Sequence, residues 1–196
     1  DDLAVDIYKD KAVIHVFGEM PHKPDLEAYL REQVPISEFF YKDRRGKGAG
    51  EPVKTAHSEI TVEENGHTFF INLSDYLDVG LFLDHRETRK WIGEQSAGKQ
   101  VLNTFAYTGS FSVYAAAGGA EKTTSVDLSE TYCEWIKKNL ALNALPPEKN
   151  WVYKMDTLEF FRYAKRKELK YDIIIIDPPT FSKNKGKTFS VERDYP

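Results

Sequence analysis

The sequence predicts an α/β chain, a doubly wound parallel sheet preceded by a small β-rich subdomain. Three observations carry that prediction. Tyr171–Phe181 reads YDIIIIDPPTF, and four consecutive isoleucines form a strand expected to be buried on both faces, as in helix-covered parallel sheets. From about Thr88 onward helical and strand patterns alternate, the mark of successive βαβ units. Before residue 74 the pattern is instead one of short alternating strands with turn signals, Asn65-Gly66 being the clearest.

In the first unit, residues 1–73, LAVDIY from Leu3 and AVIHVF from Ala12 read as half-buried strands joined by a turn at Lys9-Asp10-Lys11. A helix follows over Leu26–Gln33. Glu59–Val62 and Thr68–Leu73 are the arms of a hairpin around Asn65-Gly66. The second unit, residues 74–196, reads as helix Thr88–Ser96, strand Gln100–Asn103, helix Ser110–Ala117, strand Thr123–Asp127 and helix Ser129–Leu142. Strand Trp151–Lys154, helix Thr157–Arg166 and strand Tyr171–Asp177 complete it. Ser129 and Thr157 are the expected N-caps, and Gly118-Gly119 stops the helix before it. Only four sheet strands are supplied, so the sheet is expected to be incomplete at its C-terminal end and the polypeptide to continue. Ile173–Ile176 would then have an open edge.

The 196 residues carry a net charge of −4, which gives no global attraction to nucleic acid and leaves that task to local basic patches. Lys42, Arg44, Arg45, Lys47 and Lys54 form one such patch, next to Phe39, Phe40 and Tyr41; Lys183, Lys185 and Lys187 form another. The aromatics either stack bases or belong to a buried strand beside a charged loop. A single Cys133 excludes an internal disulfide and a cysteine metal cluster. No metal is expected. No apolar run reaches membrane-spanning length and Asp1-Asp2 is unlike a signal peptide, so a cytoplasmic location without membrane contact is expected.

The chemistry is expected at the carboxyl ends of the strands, where open α/β sheets bind ligands. Strand one leads into Asn103-Thr104-Phe105-Ala106-Tyr107-Thr108-Gly109-Ser110 and a helix, so backbone can approach a ligand at Gly109 and the helix N–H groups favour its polar end. The loop lacks the three glycines of a dinucleotide fingerprint, which disfavours a nicotinamide or flavin nucleotide. Strand two ends in Asp127, about 20 residues past the turn, where ribose hydroxyls are held; the alternative is a residue that merely precedes a helix cap. Strand three ends in Met155-Asp156, able to pack on an adenine ring and accept its amino hydrogen, or simply to cap the next helix. Strand four ends in Asp177-Pro178-Pro179, whose prolines fix φ and remove two donors, leaving an outward, rigid turn.

These strand ends together resemble the class I S-adenosylmethionine-dependent methyltransferases, whose fold is a Rossmann-like doubly wound sheet. NLSDYLDVGLFLDHRETR from Asn72, VLNTFAYTGSFSVYAAAGGA from Val101, SVDLSETYCEWIKKNLALN from Ser125 and YDIIIIDPPTFSKNK from Tyr171 sharpen the likeness. They look like the guanine-N7 methyltransferase half of the bacterial bifunctional large-subunit (23S) rRNA methyltransferases. The resemblance implies S-adenosylmethionine as cofactor and large-subunit rRNA, or its assembly intermediate, as partner. Asn103, Phe105, Tyr107, Thr108 and Gly109 would then form the methionine side of the pocket. Asp127 with Leu128 would take the ribose, and Met155 with Asp156 the adenine. Asp177, Pro178, Pro179 and Phe181 would face the target base. Asp84 and Arg86 would close over the cofactor carboxylate, or form a surface salt bridge, and Phe82 is expected in the core. Arg44, Arg45, Lys47, Lys183 and Lys185 would grip RNA.

Methyl transfer from a sulfonium is a displacement that rewards alignment. Guanine N7 has a lone pair and no proton to lose, whereas carbon-5 of cytosine needs a thiolate, and Thr180 stands where the proline turn would carry one. Exocyclic-amine methylation is the nearest enzymatic alternative, weakened because Thr180 separates the prolines from aromatic Phe181. A non-catalytic RNA-binding module is the alternative of another class.

Overall fold

The structure is a computed structural model describing residues 2–45 and 58–179, with the backbone of 181–184 and 187–190. Two compact units emerge: Asp1–Glu63 with Phe70–Leu83, and Glu64–Phe69 with Asp84–Pro196. In the first, β1 (Leu3–Tyr8) pairs antiparallel with β2 (Lys11–Val16), and β2 pairs parallel with β3 (Glu38–Asp43). Helix α1 (Lys23–Gln33) makes the crossover that a parallel pair requires, and Pro24 in its first turn starts it earlier than apolar spacing alone predicts. The half-buried expectation fails for β2. As the middle strand it is buried at every position after Lys11. β4 (Glu59–Glu64) and β5 (His67–Asn72) form the expected hairpin, with Asn65 and Gly66 both at positive φ.

In the second unit a 3-10 turn, Leu83–His85, leads into α2 (Arg86–Gln95). β6 (Gln100–Thr104), α3 (Ser110–Ala117), β7 (Lys122–Asp127), α4 (Glu130–Leu142), β8 (Asn150–Lys154), α5 (Thr157–Arg166) and β9 (Ile173–Ile176) follow. The sheet order is β8-β7-β6-β9, with all three pairings parallel. Chain order reverses between β6 and β9, and the crevice at such a switch point is where this architecture takes ligands. Val101, Ile175, Phe111, Ala115 and Ile92 pack on one face; Leu102, Val126, Phe160 and Ala164 pack on the other. α2 and α3 come together at a glycine contact, since a Cβ on Gly118 would lie 2.0 Å from the Gly93 carbonyl oxygen. β10 (Phe181–Asn184) and β11 (Lys187–Ser190) form a separate antiparallel pair.

Three further expectations need correction. The isoleucine strand is not buried on both faces: Ile173 and Ile175 pack inward, but Ile174 and Ile176 are 52% and 41% exposed. Among the described residues β9 is the last strand of its sheet, so its second face lacks a helix. The N-cap of α5 is Asp156, whose Oδ1 accepts the Leu158 and Glu159 N–H groups, because a carboxylate placed before the helix outcompetes Thr157 within it. Phe82 is half exposed instead of core.

Candidate active site

The second unit brings the ends of its four parallel strands together, and the loop after β6 is the most constrained of them. Phe105 and Tyr107 both have positive φ, 53° and 51°, a conformation costly for residues with a Cβ. Surrounding bonds hold them there: Ala106 N–H donates to Val126 O and Tyr107 N–H to Asp127 Oδ2, while Asn139 Nδ2 donates to Thr108 O. Gly109, at φ 78°, opens α3, and a Cβ there would meet Ile136 at 2.8 Å. The turn is therefore pressed against α4 and presents backbone to the crevice.

Asp127 is the joint of the site. Its Oδ2 accepts Tyr107 N–H and its Oδ1 accepts Ser129 N–H, each at 2.9 Å, so one carboxylate ties the loop after β6 to the start of α4. Ser129 caps that helix as expected, accepting from Tyr132 N–H. Burial pushes the Asp127 carboxyl above the usual range, although the backbone N–H groups of Ser129, Tyr107 and Leu128 pull the other way. Leu128, partly exposed beside it, offers an apolar surface. Met155 donates its N–H to Asp127 O, which sets the end of β8 next to that of β7.

Asn103 is 3% exposed and donates from Nδ2 to Ser112 Oγ, which lies 2.7 Å from Ser125 Oγ. Its amide therefore braces β6, α3 and β7 from beneath. Asp177, at the end of β9, is exposed and has Pro178 and Pro179 after it. Three consecutive residues of the Asp84-His85-Arg86 segment diverge. The Asp84 side chain is 75% exposed, His85 Nε2 lies 3.8 Å from Asp177 Oδ2, and Arg86 Nε donates to Glu64 Oε2. Arg86 thus joins a buried network: Arg89 grips Glu64 in a two-pronged pair at 2.8 and 2.9 Å, and the Tyr114 hydroxyl donates to the same carboxylate. Sequence reasoning missed His85, Asn139 and the Glu64–Arg89 pair, since each depends on contacts between residues far apart in the chain.

The basic patch of the first unit is largely committed internally. Lys42 is buried and donates to the Ser74 and Tyr76 carbonyls. Arg44 donates to His15 Nδ1, Leu77 O and Asp78 Oδ1, and Arg45 pairs with Asp43. Phe40 is core and Phe39 partly so, because Glu38–Asp43 is a strand. Lys47 and Lys185 lie outside the described residues, as do the side chains of Phe181 and Lys183.

A family model described as S-adenosylmethionine-dependent methyltransferase matches residues 41–196. Ribosomal RNA large subunit methyltransferase K of Neisseria meningitidis is 38% identical over 98% of this chain and 59% of its own length. Ribosomal RNA large subunit methyltransferase K/L of Methylococcus capsulatus is 42% identical over 94% of this chain and 25% of its own. The chain thus spans only part of these relatives. Among solved structures, SMU.776, a methyltransferase complexed with SAH, superposes with a TM-score of 0.88 at 36% identity, covering 99% of this chain and 52% of that one. An S-adenosylmethionine-dependent methyltransferase from Streptococcus mutans gives 0.85 at 34% identity, covering 99% and 51%.

Proposed function

The chain belongs to the S-adenosylmethionine-dependent methyltransferase family, and from that premise we propose that it holds the cofactor for methylation of a large-subunit rRNA base, the target atom being guanine N7. The observation that carries this reading is Asp127, a part-buried carboxylate at the end of β7 that anchors the strained loop of β6. The residues present fit the cofactor. The Asp127 carboxylate keeps acceptor capacity for a ribose hydroxyl, Leu128 and Met155 supply apolar contact for a base, and the tight turn at Gly109 presents main chain to the amino acid end.

When bound, S-adenosylmethionine supplies an electrophilic methyl group on a sulfonium. The chain's part is alignment. Asp127 with Leu128 fixes the ribose, and Phe105, Tyr107, Thr108 and Gly109 wall the methionine half, braced by Asn103. Asp156, which caps α5 through Oδ1, would take the adenine amine. Asp177, Pro178, Pro179 and Phe181 face the target base. Asp84 lines the rim, while Arg86 supports it through Glu64. Arg45, Lys47, Lys183 and Lys185 would supply phosphate contacts, whereas Arg44, held by His15, Leu77 and Asp78, would shape the surface beside Arg45.

Guanine N7 asks for neither a base nor an enzyme nucleophile. The chemistry of Cys133 agrees with that choice over cytosine carbon-5, because burial pushes its thiol up to about 11 and Sγ donates to Asp127 O. The test is transfer of labelled methyl to deproteinised large-subunit rRNA from a strain lacking the gene, followed by borohydride and aniline, which cut RNA at N7-methylguanine. Label with scission at one guanine is expected. Label without scission would move the target to an exocyclic amine or a ring carbon. SAH binding with no label in any rRNA or ribosomal particle would leave a non-catalytic module.

A further inference from the structure

His85 is outside the set of residues assigned to the cofactor, and it stands beside Asp177 at the end of β9. The 3-10 turn before α2 delivers it there, and its ring meets Phe111 edge-on at a centroid distance of 5.8 Å. Nε2 looks toward two carboxylates, Asp177 at 3.8 Å and Asp84 at 3.9 Å, and their field favours the hydrogen on that nitrogen. Both distances exceed a hydrogen bond. His85 and Asp177 therefore offer a donor and an acceptor side by side, neither consumed by the other, on side chains 38% and 55% exposed.

We propose that His85 and Asp177 together select the target base by reading its edge, His85 donating to an oxygen while Asp177 accepts from the adjacent ring N–H. This rests on the methyltransferase reading above and deepens it by naming what chooses guanine. Guanine presents acceptor O6 next to donor N1–H. Adenine presents the reverse, an amine donor beside acceptor N1, which would set donor against donor and acceptor against carboxylate. Uracil shares guanine's order but has no N7 to methylate. Because O6 lies between N1 and N7 on the rim of the purine, a grip on O6 and N1 leaves N7 next to the held edge and open to the methyl group. His85 is thus a specificity residue that touches substrate, and its packing on Phe111 limits the ring's swing.

The experiment uses the full-length protein and rRNA fragments carrying guanine, inosine or 2,6-diaminopurine at the mapped position. All three have N7. Inosine keeps the O6/N1–H order, and diaminopurine reverses it. Wild type should methylate guanine and inosine comparably and diaminopurine about 100-fold less or worse, as expected where a site's polar groups are left opposed. His85→Ala should lose about tenfold in kcat on guanine, the loss expected of one hydrogen bond to substrate, with SAH affinity unchanged and the gap to diaminopurine narrowed. His85→Gln, which keeps a donor, should restore much of both. Equal treatment of guanine and diaminopurine by wild type would overturn the proposal, as would His85→Ala lowering all three bases by one common factor. A wild type that binds SAH but methylates none of the three overturns the parent reading and this one with it.

Discussion

At the scale of single residues, Asp127 ties the loop after β6 to the start of α4 and, in the function proposed, also holds the ribose. Asp127→Ala should reduce SAH affinity tenfold or more by calorimetry, since a charged hydrogen bond contributes about 1.5–3 kcal/mol and the anchor of Tyr107 is lost with it. Its raised pKa sets a sign for pH. Ribose binding needs the carboxylate, so affinity should fall in mild acid, as pH drops through a value above the ordinary carboxylate range. Its contribution to folding runs the other way, present below the unfolded value of about 3.9 and lost as pH rises through the folded one. Lys42 gives a second test. Burial, helped by the nearby Arg44 charge, lowers its pKa to about 8. The unfolded chain holds that proton up to about pH 10.4, so stability should rise between pH 8 and 10, and Lys42→Met should flatten the rise in urea titrations. The sequence made Asp127, Met155, Asp156 and Asp177 legible because strand ends are marked by local pattern. It left the fate of Lys42 and Arg44 hidden, because whether a cation meets solvent or a carbonyl depends on distant chain.

At the scale of elements, the Glu64–Arg89 pair fastens the turn of the β4–β5 hairpin to α2. Burial alone would push the Glu64 carboxyl up, but Arg89, with Tyr114 and Arg86, holds it below the usual range. Removing one member leaves a buried charge without its partner, so Arg89→Ala should cost about 3–5 kcal/mol in denaturant unfolding. Because the Glu64 pKa is depressed, its stabilisation should fade as pH falls through the folded value, and Glu64→Gln should remove that dependence. Most helices and strands were readable from period and caps: α3, α4 and the Asn-Gly hairpin lie close to where pattern puts them. Pattern misled on β9, which was expected to be buried on both faces and is covered on one. Four isoleucines carry no period, and burial of a strand is decided by its neighbours.

At the scale of the whole molecule, Ile174 and Ile176 leave an apolar face on β9, the outermost strand of the parallel sheet among the described residues. Such an edge templates association. The 196-residue chain should therefore show concentration-dependent assembly in sedimentation, and Ile174→Lys should suppress it while SAH affinity holds. The same strand order has a mechanical consequence. Among the described residues, β6 and β7 are each flanked on both sides, whereas the strand that presents Asp177 is held by a single ladder, from Val101–Ile173 to Thr104–Ile176. Stiffness is then unevenly shared across the crevice: the ground under the proposed nucleoside site is firm, and the ground under the proposed methyl-acceptor site yields. Whatever braces β9 along its other edge would tune the rate of transfer while leaving the grip on the cofactor almost untouched.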